Sequence, residues 1–306
     1  MEHGRPATLA SVGEQFLLDR FSARPLTGPL LVGPGDDCSV SRSSAPHVHR
    51  LLKTDCVIAG VHFEHGEDFT RVGRKALARA ISDIAAMGGT PEEALVTLVL
   101  PPKLAIAKID QLYTGIDQMA AEHGVVIAGG ETASAPPPHH DATVINIALT
   151  GRVAADACVT RSGGNPGDFL FVTGKLGGSI KGHHLDFTPR LAEGQWLAAH
   201  NASAMMDLSD GLAKDLPRLA RQSGCAYRIN QQALPLRESC SITQALNDGE
   251  DYELLVAIPA TLAASVSSDW AVAFPALPLT HVGELLDLHE NNTDQLDGGY
   301  DHFSKP

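Results

Sequence analysis

No CxxC pair occurs in this 306-residue chain, and its five cysteines, Cys38, Cys56, Cys158, Cys225 and Cys240, are scattered and odd in number. That usage argues against a cysteine metal or redox site and for reduced thiols in the core. Basic residues are also in deficit. With 23 Lys plus Arg against 36 Asp plus Glu, the net charge of -13 repels nucleic acid and anionic membrane, so neither is an expected partner. No eighteen uncharged apolar residues follow one another, and MEHGRPATLASVGEQFLL has no basic region before a long apolar one, which predicts a cytoplasmic protein. Three familiar phosphate motifs are missing as well. GKLGGS fails Walker A because Leu176 follows Lys175 and Phe169 stands at the required upstream glycine; HRD with DFG and GxGxxG are absent.

What is there suits two domains, given the length. PLLV reads as a strand before the turn GPGDDCSV, and HRLLKTDCVIAG as a strand ending at Asp55 with a short return toward His62. From Asp68 to Met87, the spacing of Val72, Ala76, Leu77, Ala80, Ile81 and Ile84 predicts an amphipathic helix stopped by Gly88-Gly89. EALVTLVLP is a strand, 105–123 has helical character, GVVIAGGET is a short strand entering a glycine turn, SAPPPHHDA is a loop and TVINIALTGRV another strand. RSGGNPGD suggests a boundary near residues 155–167. Beyond it, RLAEGQWLAAH and DGLAKDLPRLARQSG read as helices, the latter with a turn or kink at Pro217, and AYRI, DYELLVAI and LTHVGEL as strands.

The acidic surplus is organised at element ends. GPGDDC offers one or both of Asp36 and Asp37 from a tight turn; caps and solvated turns are the plainer use of such pairs. Asp83 falls late in an apolar helix, where a carboxylate needs a donor, a cation or solvent. GGET places Glu131 beside glycines whose N–H groups can approach phosphate, and DLSDG places Asp207, Ser209 and Asp210 before a helix, as caps or as metal ligands. Several such motifs in one acidic chain suit a shared site in which Mg²⁺ mediates between carboxylates and a small polyanion such as ATP.

In order, GPGDDC, KTDCVIAGVHF, ISDIAAMGG, GGET, TRSGGNPGD, DLSDG, DGEDYE and the terminal GYDHF resemble the thiamine-monophosphate kinase family, over most of the chain. That family lies within the aminoimidazole ribonucleotide synthetase-like superfamily. The resemblance implies an α/β N-terminal domain over 1–155, carrying Mg-ATP binding and homodimerisation, and an α+β C-terminal domain over 156–306 that completes the site. It implies ATP-dependent phosphorylation of thiamine monophosphate to thiamine diphosphate. Carried over motif by motif, Asp36, Thr54, Asp55, Asp83, Glu131, Asp207 and Asp210 resemble the Mg²⁺ set, with Asp36, Asp55, Asp83, Asp210 and Arg161 acting in catalysis. Tyr113, Gly130, Glu131, Arg161 and Ser209 resemble ATP-contacting positions, and His62, Glu250 and Tyr300 positions around thiamine monophosphate.

The chain departs from the family pattern in three places. Glu131 replaces an aspartate, Lys53 stands where a small hydroxyl residue is common, and GKLGGSIKGHHLDFTPR is compact. Other readings are an ATP-dependent relative acting on a different phosphorylated heterocycle, and a non-catalytic Mg-nucleotide-binding protein.

Overall fold

The computed structural model describes residues 8–139, 141–290 and 294–303. The first seven residues, part of the stretch read for a targeting segment, lie outside them, as do His140 of the proline-rich loop and the last three residues of DHFSKP.

The N-terminal unit runs α1 (Leu9–Ser22), β1 (Leu30–Val32), β2 (Ser39–Arg42), β3 (Val48–Ile58), α2 (Phe69–Ala86), β4 (Thr90–Leu100), α3 (Ile106–His123), β5 (Val126–Ser134) and β6 (Val144–Ala154). Its sheet has the order β1-β2-β3-β6-β4-β5, antiparallel except for the β4–β5 pair. Alternation fixes the faces: Leu51 and Val57 of β3, Val96 and Leu98 of β4, and Ile145, Ile147 and Leu149 of β6 are buried on one side. α2 lies over that side and packs against α3. A Cβ on Gly73 would stand 2.1 Å from the Leu112 carbonyl oxygen, and one on Gly115 1.9 Å from that of Thr70, so only glycine permits this helix crossing. The opposite side of the sheet is open, with Leu52 and Leu95 exposed.

The second unit runs β7 (Asp168–Thr173), α4 (His183–Asp186), α5 (Leu191–Ala199), β8 (Ala204–Asp207), α6 (Leu212–Gln222), β9 (Ala226–Ile229), α7 (Ile242–Asn247), β10 (Leu254–Pro259), α8 (Ala260–Ala273) and β11 (Leu279–Leu286). Its antiparallel sheet has the order β8-β10-β7-β11-β9. Both faces are covered. Leu255 and Ala257 of β10 join Leu212, Leu216 and Leu219 of α6, while Leu254, Val256 and Ile258 join Leu197, Val266 and Trp270 from α5 and α8. This double coverage explains the unbroken apolar run LLVAI. The architecture is an α/β unit followed by an α+β unit, and α2 spans the junction by touching α5 and β8.

Four local expectations change. β3 continues past Asp55 to Ile58, because its ladder with β6 continues to Val144. Gly129 to Thr132 form part of β5 rather than a turn, held by parallel pairing with β4 after a bulge at Ala94/Leu95. α6 runs through Pro217. β10 starts at Leu254, since Glu250 and Tyr252 have φ of 51° and 50°, outside strand geometry.

Candidate active site

Asp37, Asp83 and Asp207 come from three distant segments: the β1–β2 turn, the last turn of α2 and the end of β8. Their carboxylate oxygens lie within 4.8 Å of one another, and all three residues are buried. Each has one matching group. The Arg161 guanidinium donates to both Asp37 oxygens, through Nε at 3.1 Å and through NH2. Lys53 Nζ donates to Asp83 Oδ1 at 2.7 Å, and Ser82 Oγ to Asp207 Oδ2 at 2.7 Å.

Like charges in a desolvated site favour protonation. Burial, reinforced by the Asp37 charge, pushes Asp207 up to about 6. Burial likewise holds Asp83 well above the carboxylate range despite Lys53. Three hard oxygen donors that repel one another are the donor set a divalent cation of the Mg²⁺ class relieves.

A second layer of charge lines the inner face of α2. Lys75, Arg79 and Asp83 recur every fourth residue and therefore share a stripe. Arg79 reaches Asp55 at 3.2 Å; fully buried Lys75 donates to Glu250 Oε2 at 2.8 Å and to the His62 carbonyl at 2.5 Å. Beside them is a cavity of about 120 Å³, lined by His62, Arg79, Ser209, Asp210, Glu250 and Tyr300 among others. His302 meets the Tyr300 ring edge-on at 4.9 Å, and the Tyr300 N–H donates to the Asp210 carbonyl at 2.8 Å.

His62 is neutral in this wall. Its Nδ1 accepts from the Ile58 N–H at 3.1 Å, and burial, with the charges of Arg79 and Lys75, lowers the imidazole to about 3. An unfolded imidazole titrates near 6.5, so the unfolded state binds the extra proton between those values. Stability therefore falls as pH drops from 6.5 toward 3. His62→Gln should remove up to ~1.4 kcal/mol per pH unit of that dependence, read as a smaller loss of thermal midpoint between pH 7 and pH 5.

Of the seven positions expected to hold Mg²⁺, the structure gathers Asp83 and Asp207 and adds Asp37. Asp36 is displaced by its neighbour: its carboxylate accepts from the Asp37 N–H at 2.9 Å and the Arg161 N–H at 3.1 Å, while Asp37 faces the cluster. Thr54 and Asp55 point to opposite sides of β3, as strand neighbours must. Thr54 Oγ1 is 3.2 Å from Asn146 Oδ1 on the open side, whereas Asp55 stays inside, near enough for its charge to act on Asp83. Asp210 is held by Arg218 at 2.5 Å and Lys214 at 3.3 Å. Glu131 is exposed on the edge strand, with β6 and β4 between it and β3, and its carboxylate accepts only from the Thr132 N–H among the described residues.

The expected nucleotide contacts are dispersed. Arg161 is in the cluster, and the Ser209 N–H donates to Asp215 Oδ2 at 3.1 Å, where Ser209 lines the cavity. Tyr113 packs on the N-terminal core from α3, and Gly130 lies on β5, where a Cβ would stand 1.9 Å from the Val96 carbonyl oxygen. His62, Glu250 and Tyr300 line one cavity. Lys53 stands out in KTDC as a departure from the family pattern, whereas no motif points to Lys75, Arg79 or Ser82; their signal in the sequence is polar side chains on the inner side of an otherwise apolar helix, α2.

Residues 35–153 match the family model for the AIR synthase related protein N-terminal domain, and residues 169–273 that for its C-terminal domain. The thiamine-monophosphate kinase of Rhodopirellula baltica is 35% identical over 293 residues, covering 89% of each chain. That of Salmonella typhimurium is 30% identical over 334 residues, covering 96% of this chain and 99% of its own. The chain belongs to the thiamine-monophosphate kinase family. Among solved structures, AaThiL complexed with AMPPCP and TMP superposes with a TM-score of 0.83 at 26% identity, covering 97% of this chain and 99% of its own. A thiamine-monophosphate kinase from Stenotrophomonas maltophilia superposes with a TM-score of 0.72 at 28% identity, covering 92% and 96%. Family membership places the buried carboxylates and the neighbouring cavity in an enzyme scaffold.

Proposed function

We propose that this chain transfers the γ-phosphoryl group of ATP to thiamine monophosphate, giving ADP and thiamine diphosphate. The observation that carries the reading is the buried Asp37–Asp83–Asp207 cluster at the junction of the two units, close to the cavity lined by His62, Glu250 and Tyr300. The likeness to a structure solved with AMPPCP and TMP supports the same reactant pair. In this reading residues 1–155 bind Mg-ATP and form the dimer, and residues 156–306 complete the site.

Asp37, Asp83 and Asp207 would hold Mg²⁺, which when bound neutralises phosphate charge. Arg161 orients Asp37 and adds a fixed cation beside the transferring group. A phosphate oxygen of thiamine monophosphate is already anionic, so it attacks the γ-phosphorus directly while the bond from that phosphorus to the β–γ bridging oxygen breaks and ADP leaves. No serine or cysteine intermediate is required. The chain's task is alignment: Tyr300 offers a ring to the heterocycle, and Glu250, fixed by Lys75, offers a carboxylate to its polar or cationic part.

Tyr300→Ala should raise KM for thiamine monophosphate about 5- to 30-fold, the equivalent of ~1–2 kcal/mol of aromatic contact, and leave KM for ATP unchanged. Steady-state kinetics with each substrate varied separately check this; equal rises in both constants contradict the division of roles.

The open side of the N-terminal sheet is the surface we assign to a homodimer contact, because Leu52 and Leu95 are exposed there beside Thr54 and Thr97. Leu95→Lys should shift the sedimenting species from dimer to monomer. Among the described residues no helix is long and apolar enough to cross a membrane, and the five cysteines are free thiols; we read the enzyme as cytoplasmic.

A further inference from the structure

Lys53 lies on the inner side of β3, between Leu51 and Asp55 in the alternation, where a lysine needs a specific partner. Its Nζ is 2.7 Å from Asp83 Oδ1, and Asp83 is the only hydrogen-bond partner of that ammonium among the described residues. The other two carboxylates of the cluster are matched differently, Asp37 by Arg161 and Asp207 by the neutral Ser82 hydroxyl. An ammonium and a divalent ion compete for the same carboxylate lone pairs, so the Asp83 Oδ1 that Lys53 occupies is closed to a further ion, while the cluster as a whole stays open to the one that Asp37, Asp83 and Asp207 would share.

We propose that Lys53 is a built-in cation of the carboxylate cluster. Its ammonium takes the place at Asp83 that an additional divalent ion would take, so the chain carries one divalent ion fewer than the same cluster without the lysine. The two N–H groups not directed at Asp83 remain available to a phosphate oxygen, so Lys53 also meets the transferring group directly. The phosphate role rests on the kinase reading; the cation count does not.

Mn²⁺ binding, counted by electron paramagnetic resonance of the free ion, tests the proposal on the full chain without nucleotide. Lys53→Ser should bind one more Mn²⁺ per chain than wild type, and Lys53→Arg, which keeps the charge, should bind the wild-type number. Lys53→Gln, which keeps a donor for Asp83 but not the charge, should also gain the ion. Equal counts in wild type and both neutral variants overturn the proposal. Should the neutral variants be unfolded in metal-free buffer, Mn²⁺ should restore their circular dichroism; failure to restore it makes the ammonium purely structural and also overturns the proposal. Equal counts alongside formation of thiamine diphosphate reject Lys53's role alone, whereas an extra ion in a protein that forms no thiamine diphosphate rejects the kinase reading alone.

Discussion

Asp207→Asn should slow phosphoryl transfer about 10³-fold and at the same time stabilise the metal-free protein. The two effects have one cause. Asp207 is buried with Ser82 as its hydrogen-bond donor and with the Asp37 and Asp83 carboxylates nearby, so its ionised form is disfavoured in the fold and its pKa rises from 3.8 to about 6. A raised carboxylate costs stability fully above the folded value, and the cost disappears as pH falls toward the unfolded value. At pH 7.5 the cost is about 3 kcal/mol at ~1.4 kcal/mol per unit, and asparagine removes it while keeping an oxygen for the Ser82 hydroxyl. The midpoint gain should therefore be present at pH 7.5 and vanish near pH 4. Mg²⁺ should raise the wild-type midpoint and close the gap, because only the native state offers the gathered ligands. Loss of one ligand should cost ~4 kcal/mol of transition-state stabilisation, about 10³-fold in kcat. Full activity in Asp207→Asn contradicts the assignment.

Arg161→Ala should act on stability in the opposite direction. Arg161 donates to both Asp37 oxygens and to the Gly35 carbonyl, and its own N–H holds Asp36. Removing one partner of a buried pair leaves the other charge uncompensated, at a cost of ~3–5 kcal/mol. For a chain of this length that is a fall of about 5–10 °C in thermal midpoint. Mg²⁺ should recover part of the loss by neutralising Asp37. Arg161→Lys should recover less than the charge alone suggests, because an ammonium cannot reproduce the two-pronged contact. A midpoint unchanged in Arg161→Ala would show that Asp37 does not depend on the guanidinium.

The parts of this molecule that follow from local pattern were legible in its sequence. TVINIALTGRV alternates because only one side of β6 meets α2, and the apolar stripe from Val72 to Ile84 is the side of α2 that covers the sheet. GGET did not read as strand because two glycines have low strand preference; β4 supplies the ladder that overrides it. α1 lacks a clean helical signal because Gly13, with φ of 74° and ψ of 177°, interrupts its helical geometry. Asp36 and Asp37 are chemically identical neighbours, and the path of the turn decides which one enters the cluster. Lys75 and Arg79 sit in an apolar stripe for partners that arrive from residues 250 and 55, a reason no local window contains. Family motifs named His62, Glu250 and Tyr300 together, while their common cavity depends on the tertiary arrangement of three segments far apart in the chain.

The most direct test of the kinase reading is to incubate the purified chain with ATP and thiamine monophosphate, with and without Mg²⁺, and identify both products by mass. ADP and thiamine diphosphate should form in equal amounts, only when Mg²⁺ is present. Binding of Mg-ATP with no thiamine diphosphate formed would contradict it.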